Sequence, residues 1–280
     1  MGEFSAAWLA LREPADHYAR NTAVSAAVAS MFAGRDTMRV VDLGCGTGSN
    51  LRALAPLLPD HQHWRLIDAD RDLLAAAQAA LTLWADRAEV NPNGSLRIWH
   101  GAKTISVVFE PADLAADLDD TLAGEVDLVT AAAFFDLVSA SWISRFSAVL
   151  ISRALPLYAV LTYNGGERLM PAHPADHAML AAFHAHQRTD KGFGIAAGPD
   201  AGLSLGRCFA EAGWQVDAGQ SDWRLGPENA GLMEILANGT AAAVAETGLV
   251  PTADIADWRA AHQSAQSWLV GHQDLFARPG

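Results

Sequence analysis

Apolar positions between residues 5 and 33 recur at helical spacing, with Val24, Val28 and Phe32 separated by four and Tyr18 extending the same face. Pro14 suits a first helical turn and Gly34 a stop, so this stretch predicts an N-terminal helical segment. Beyond Gly34 the pattern changes. Residues 39–43 (RVVDL) form a short apolar run that ends in glycines, as a buried strand entering a tight turn does. A short helix from about Ser49 is limited by Pro56, and a second strand is predicted over residues 64–69 (WRLIDA). Asp70 is placed to cap a helix carrying Leu73, Ala77, Leu81 and Trp84. NPNG at 91–94 marks a turn, followed by strand segments at 96–99 and 105–109.

The alternation continues with a helix at 114–122, a strand at 126–130, a helix at 139–153 and a strand at 157–163. It resumes with a helix at 203–212 and a strand at 214–218. Strand and helix in regular succession imply parallel strands joined by right-handed crossovers, with helices on both faces: a doubly wound α/β fold. Two stretches break the rhythm. Residues 164–200 hold several His, Gly and Pro and read as an active-site insertion, and the region 225–266 reads as mainly helical. The expected organisation is a helical cap over 1–36 and an α/β domain over 37–280 carrying these two insertions, with residues 267–276 as a late returning strand.

Composition changes this picture little, but charge narrows the partners. Hydrophobic residues make up 51% and charged residues 18%, which excludes low-complexity disorder, and no apolar run is long enough for a membrane span. Lys and Arg total 19 against 32 Asp and Glu, and the net charge of -13 opposes general attraction to nucleic acid or anionic lipid. Neither a nucleic-acid nor a membrane partner is therefore expected. The first residues lack a basic segment followed by an apolar core, so a cytoplasmic location is the expectation. Cys45 and Cys208 stand far apart, which supports neither a disulfide framework nor a zinc site.

The most informative stretch is VVDLGCGTGSN, residues 40–50. Gly44, Gly46 and Gly48 clear the strand-to-helix turn of Cβ atoms, so that a ligand can approach the main chain. Ser49 stands where a dinucleotide fingerprint has its third glycine, and the Lys-Ser/Thr ending of a triphosphate loop is absent. Asp42 ahead of the loop suits a cationic or ammonium-bearing ligand better than a pyrophosphate. Asp68 ends the second strand, beside the loop in a parallel sheet, where a carboxylate can accept both hydroxyls of a ribose. After the third principal strand, Asp113 is placed either to accept an adenine amino proton or to serve as a solvated turn residue.

DLGCGTG, LIDAD and PADL together resemble the first, ribose-side and adenine-side motifs of the class I S-adenosylmethionine-dependent methyltransferases, over roughly Val40 to Tyr163. The resemblance implies a Rossmann-like sheet of seven strands, mostly parallel with the last antiparallel, and S-adenosyl-L-methionine as cofactor with S-adenosyl-L-homocysteine as product. It implies that Asp42 and the loop backbone hold the methionine portion, Asp68 the ribose, and Asp113 with Leu114 the adenine. Cys45, Ala69 and Thr130 join the same cofactor set. A nicotinamide-dependent oxidoreductase and a non-catalytic nucleoside-binding module on the same scaffold are the alternatives.

Methyl transfer is an in-line displacement that requires alignment and exclusion of water rather than a covalent enzyme intermediate. TAAAFFDLVSASW, after the fourth principal strand, is expected to cross the mouth of the crevice and bring Phe134, Phe135 and Asp136 near the reacting methyl. An Asn/Asp-Pro-Pro-aromatic sequence, expected there in an enzyme that methylates nucleic-acid amino groups, is absent, and a small-molecule acceptor is expected instead. The phenylalanines are either crevice wall or acceptor contacts; Asp136 either orients an amine or hydroxyl or caps a helix. Tyr163 and Asn164 hold the corresponding position after the fifth principal strand. His173 or His177 is a candidate acid/base group or a surface residue, and the histidine spacing lacks a metal-binding pattern. Arg12, Tyr18 and Arg20 cluster with Asp16 near the N-terminus, where an arginine can meet a carboxylate of cofactor or substrate, or Asp16 and Arg20 can pair along the helix.

Overall fold

Residues 4–280 are described by the structure, a computed structural model; the first three positions of the expected cap lie outside them. The strands are β1 (Thr37–Leu43), β2 (His61–Asp68), β3 (Arg87–Val90), β4 (Leu96–His100), β5 (Lys103–Pro111), β6 (Leu128–Ala132), β7 (Leu157–Met170), β8 (Gln215–Gln220), β9 (Trp223–Leu225) and β10 (Ser267–Arg278). They form one ten-stranded sheet in the order β3-β4-β5-β2-β1-β6-β7-β10-β8, with β9 paired to β10. From β5 to β7 neighbouring strands run parallel, and β10 is inserted antiparallel between β7 and β8. The returning strand is thus where residues 267–276 were expected to provide one. The expected count of seven strands is corrected to ten: an antiparallel β3–β4 pair widens one edge and β9 adds a short segment against β10. β3 is only four residues long and mostly exposed, so its brief polar–apolar alternation is too short to announce a strand.

The helices are α1 (Ala6–Ala19), α2 (Thr22–Phe32), α3 (Ser49–Leu54), α4 (Arg71–Trp84), α5 (Leu118–Thr121), α6 (Ala140–Ser152), α7 (Asp176–Gln187), α8 (Ala201–Glu211), α9 (Ala230–Thr247) and α10 (Thr252–His262). Alternation along β1 explains their distribution. Met38 and Val40 point into a core shared with α2, α3 and α4, while Val41 and Leu43 point into one shared with α5, α6 and α8. A third core lies where β7 and β10 run on together: Leu169, Trp268 and Val270 pack with α7, α9 and α10. Residues 164–170 therefore begin as strand, although NGGERLM reads as loop, because antiparallel pairing with β10 supplies the hydrogen bonds.

The N-terminal segment also differs from its pattern. Ser5 caps α1 by accepting from Trp8 N, which places Pro14 inside the helix rather than in its first turn. Asn21 interrupts the run and caps α2, accepting from Ala23 N and Val24 N. The break is held from across the sheet, since buried Asp274 on β10 accepts from Asn21 N and Leu161 N, each at 2.8 Å. Asp274→Ala leaves both N–H groups without that acceptor, and we expect a loss of about 3 kcal/mol in urea unfolding. Among the described residues no helix is long and apolar enough to cross a membrane.

Candidate functional site

The parallel register of β1 with β2 and β6 brings three carboxyl-terminal ends side by side, and the glycine turn opens over them. Gly44, Gly46 and Gly48 all take positive φ, at 62°, 52° and 74°. A Cβ on Gly44 would lie 2.9 Å from the Phe134 ring, and one on Gly46 2.9 Å from Leu9 of α1. Phe134 cannot easily yield, because Phe135, Trp142 and Phe193 surround its ring edge-on. Gly44→Ala is expected to cost about 2 kcal/mol from backbone strain and this contact together, read as a lower urea midpoint.

A cavity of about 480 Å³ opens between this turn, α1 and the ends of the parallel strands. Of the residues expected to bind cofactor, Gly44, Cys45, Gly46, Asp68, Ala69, Asp113 and Leu114 line it. Asp42, Gly48 and Thr130 are not in its wall. Asp42 and Thr130 lie beneath it and hold Asn50, whose Nδ2 donates to Asp42 Oδ1 at 2.7 Å and to Thr130 Oγ1 at 3.0 Å. Burial pushes the Asp42 carboxyl up to about 7, against the opposing hydrogen bond from Asn50. Asn50 itself does line the cavity, a residue the motif alone did not single out.

Asp68 reaches the cavity with both oxygens engaged by backbone: Oδ2 accepts from Gly46 N at 2.8 Å and Oδ1 from Asp70 N at 3.0 Å. Burial raises its pKa while these two donors oppose the rise. Asp70 caps α4 as expected, accepting from Asp72 N and Leu73 N. Asp113 is exposed at the rim, with Oδ1 accepting from Ala115 N at 2.9 Å in a local turn. Leu114 is buried, and its carbonyl accepts from Trp142 Nε1.

The expected Asp16–Arg20 pair does not form. Asp16 is instead bound twice by Arg12, at 2.9 and 3.1 Å, and accepts from Trp223 Nε1 at 3.0 Å. Arg20 is thereby available to the cavity. Its Nη2 donates to Asn50 Oδ1 at 2.9 Å, while buried Nε and Nη1 meet no acceptor. Tyr18 points away and is 86% exposed. Arg52 ties α1 to the glycine turn by binding Glu13 and donating to Thr47 O at 2.8 Å.

A second cavity of about 390 Å³ adjoins the first, with Arg12, Ala133, Leu137 and Leu161 in the walls of both. Ala133 and Leu161 carry the positive φ angles 52° and 55°, a strained backbone conformation for residues with a Cβ and one that clusters at functional sites. The wall contains Asp136 and Tyr163 from the expected set, together with Trp8, Glu167, Phe183, Trp223, Trp268 and His272, which sequence reasoning missed. Phe134 lines the first cavity, whereas Phe135 is fully buried in the core and reaches neither. The helix-cap alternative for Asp136 is excluded, because Ser139 caps α6 by accepting from Trp142 N. Asp136 Oδ1 is closed to solvent and has no partner, and burial lifts the carboxyl to about 6.

Tyr163 donates to Glu167 Oε1 at 2.8 Å, so the contact at 3.0 Å from His184 Nε2 is an N–H donated to the phenol oxygen. Trp268 Nε1 donates to Glu167 Oε2 at 3.2 Å. Burial pushes Glu167 up to about 7, and burial with the neighbouring Glu167 raises the Tyr163 hydroxyl well above its ordinary range. Asn164 is exposed and binds Gly166 N within its own turn. His173 and His177 lie outside both cavities: His173 meets Asp257 at 3.1 Å and His177 faces solvent. No cluster of His, Cys, Asp and Glu among the described residues is arranged to hold a metal ion.

No protein-family model matches the chain, and no curated protein matches it. Solved structures do. A cyclopropane-fatty-acyl-phospholipid synthase-like protein from Lactobacillus casei ATCC 334 aligns over 99% of this chain and 94% of its own, at 14% identity and a TM-score of 0.50. The YcgJ protein from Bacillus subtilis covers 92% of this chain and 99% of its own at 11% identity, with a TM-score of 0.49. The plantazolicin methyltransferase BpumL, solved in complex with SAH, covers 97% of this chain and 86% of its own at 11% identity, with a TM-score of 0.46. At such identities the likeness is one of fold: a Rossmann-like α/β sheet, mostly parallel at its centre.

Proposed function

We propose that the protein is an S-adenosylmethionine-dependent methyltransferase acting on a small-molecule acceptor. The observation that carries this reading is the first cavity, in which a glycine turn without Cβ atoms, the carboxylate of Asp68 and the side chain of Arg20 line one space. Those residues fit the cofactor's parts. Asp68 offers charged acceptors to two ribose hydroxyls, and the positive charge of Arg20 in the cavity wall suits a carboxylate. Asp113 and Leu114 at the opposite rim are placed for the adenine.

When bound, the cofactor supplies a methyl carbon on positively charged sulfur. The chain's own residues shape what happens around it. Leu9 and Phe134 close over the glycine turn and exclude water, and Ala133 and Leu161 form the passage between the two cavities. Asp136, in the wall of the second cavity, is the carboxylate we assign to accept a proton from the acceptor's heteroatom. A second cavity of about 390 Å³ supports a small molecule as acceptor.

Calorimetry of the full chain against S-adenosylhomocysteine and NAD tests the reading, together with mass spectrometry of ligands retained through gentle purification. We expect saturable binding of S-adenosylhomocysteine and none of NAD. Tight NAD binding with no response to S-adenosylhomocysteine would overturn the proposal in favour of an oxidoreductase. Cofactor binding without turnover across a broad acceptor screen would leave a nucleoside-binding module.

A further inference from the structure

The second cavity combines aromatic walls with two carboxylates to which no Lys or Arg among the described residues is hydrogen-bonded. Trp8, Tyr163, Phe183, Trp223 and Trp268 supply the walls. Glu167 receives only the neutral donors Tyr163 Oη and Trp268 Nε1, and Asp136 Oδ1 receives none. The cations in its wall make their hydrogen bonds to other groups. Arg12 is bound through Nε and Nη2 by Asp16 and lies 4.8 Å from the centre of the Trp223 ring, and Lys191 donates to Thr189 Oγ1. His186 meets Glu246 at 3.0 Å, and burial holds His272 neutral by pushing it down to about 3.

Resting on the methyl-transfer reading above, we propose that this cavity takes its acceptor as an amine, the protonated nitrogen received by Asp136 and Glu167 and the apolar body held by the indole and phenyl walls. Three features of the cavity point the same way. Buried carboxylates without cationic partners are costly until a cation arrives. Aromatic faces attract ammonium groups while tolerating hydrocarbon, which suits a molecule charged at one end. Asp136 also stands between Ala133 and Leu137, which line both cavities, so a nitrogen bound at its carboxylate lies beside the wall that the second cavity shares with the glycine-turn cavity. There the same carboxylate that attracts the ammonium can take its proton, leaving the nitrogen lone pair exposed.

Calorimetry of the full chain, saturated with S-adenosylhomocysteine, against matched phenylalkyl amines, alcohols and carboxylates of equal chain length tests the proposal. We expect the amines to bind about tenfold or more tightly than the alcohols, with the carboxylates weakest. Asp136→Asn and Glu167→Gln should each weaken the amines about tenfold while moving the alcohols by roughly twofold at most. Retained S-adenosylhomocysteine affinity shows that each variant is folded. The proposal is overturned if alcohols or carboxylates match the amines, if the amines do not bind, or if neither variant distinguishes amine from alcohol. Failure of S-adenosylhomocysteine to bind strikes the methyl-transfer reading instead; the amine series is then measured on the protein alone, with the same outcomes deciding it.

Discussion

Asp68→Ala is expected to weaken S-adenosylhomocysteine binding about a hundredfold, measured by calorimetry. Hydrogen bonds to a charged group contribute roughly 1.5–3 kcal/mol each, and the proposed ribose contact uses two. Part of that is offset because Asp68 must release or share the backbone donors of Gly46 and Asp70 that it holds in the absence of ligand. About 3 kcal/mol net remains, which corresponds to a hundredfold change in affinity. Asp68→Asn should fall between, since the amide keeps one acceptor but loses the charge. Asp113→Ala serves as the contrast. Its carboxylate is exposed and already engaged with Ala115 N, so a change of about fivefold or less is expected. Unchanged affinity in Asp68→Ala would remove that residue from the site.

The second large effect is on stability rather than binding. Asp136→Asn should stabilise the ligand-free protein by about 3 kcal/mol near pH 8 and leave it nearly unchanged near pH 3. Burial holds the Asp136 carboxyl at about 6 in the folded chain, against 3.8 for an ordinary aspartate. The folded state therefore binds this proton more tightly than the unfolded one. The resulting stability is fully present below the unfolded pKa and is lost as pH rises through the folded value, beyond which a carboxylate with one oxygen closed to solvent must carry its charge. Roughly two pKa units correspond to the stated energy, and in a chain of this size to a rise of roughly 6 °C in Tm. Arg12 is the nearby cation that opposes the upward shift, while Glu167 faces the same cavity with its own carboxyl raised to about 7. Glu167→Gln should follow the same sign, with its window displaced upward to end near pH 7. Thermal unfolding of the three proteins across this range checks both, and a variant equally or less stable than the parent near pH 8 would contradict the account. A gain in stability on removing a functional carboxylate is the usual signature of a site kept at the expense of the fold.

The cofactor side was far more legible in the sequence than the acceptor side, for a physical reason. Gly44, Cys45, Gly46, Asp68, Ala69, Asp113 and Leu114 sit within or just after strand ends, so parallel pairing of β1 with β2 and of β2 with β5 assembles them from local order alone. The second cavity has no such linear code. Trp8, Glu167, Trp223 and Trp268 come from α1, β7, β9 and β10, and nothing in their spacing announces that they converge. Glu167 was hidden in NGGERLM, a stretch whose glycines and charges read as loop and which is strand only because β10 pairs with it. Arg20 was visible as a candidate, but its availability depended on Asp16 turning to Arg12 and Trp223 instead.

Taken by itself, the sequence determined the alternation of strand and helix, the bare turn after β1 and the carboxylate after β2, because each is written in the residues that form it: apolar runs, missing Cβ atoms, an acid at a strand end. Only the tertiary structure decided that β7 and β10 extend together to carry a third core, that α1 seats Leu9 over the turn, and that two carboxylates meet aromatic walls beside the first cavity. Those outcomes rest on contacts between residues up to two hundred and more positions apart, such as Asp16 with Trp223, and burial and pKa belong to such contacts rather than to any segment of chain.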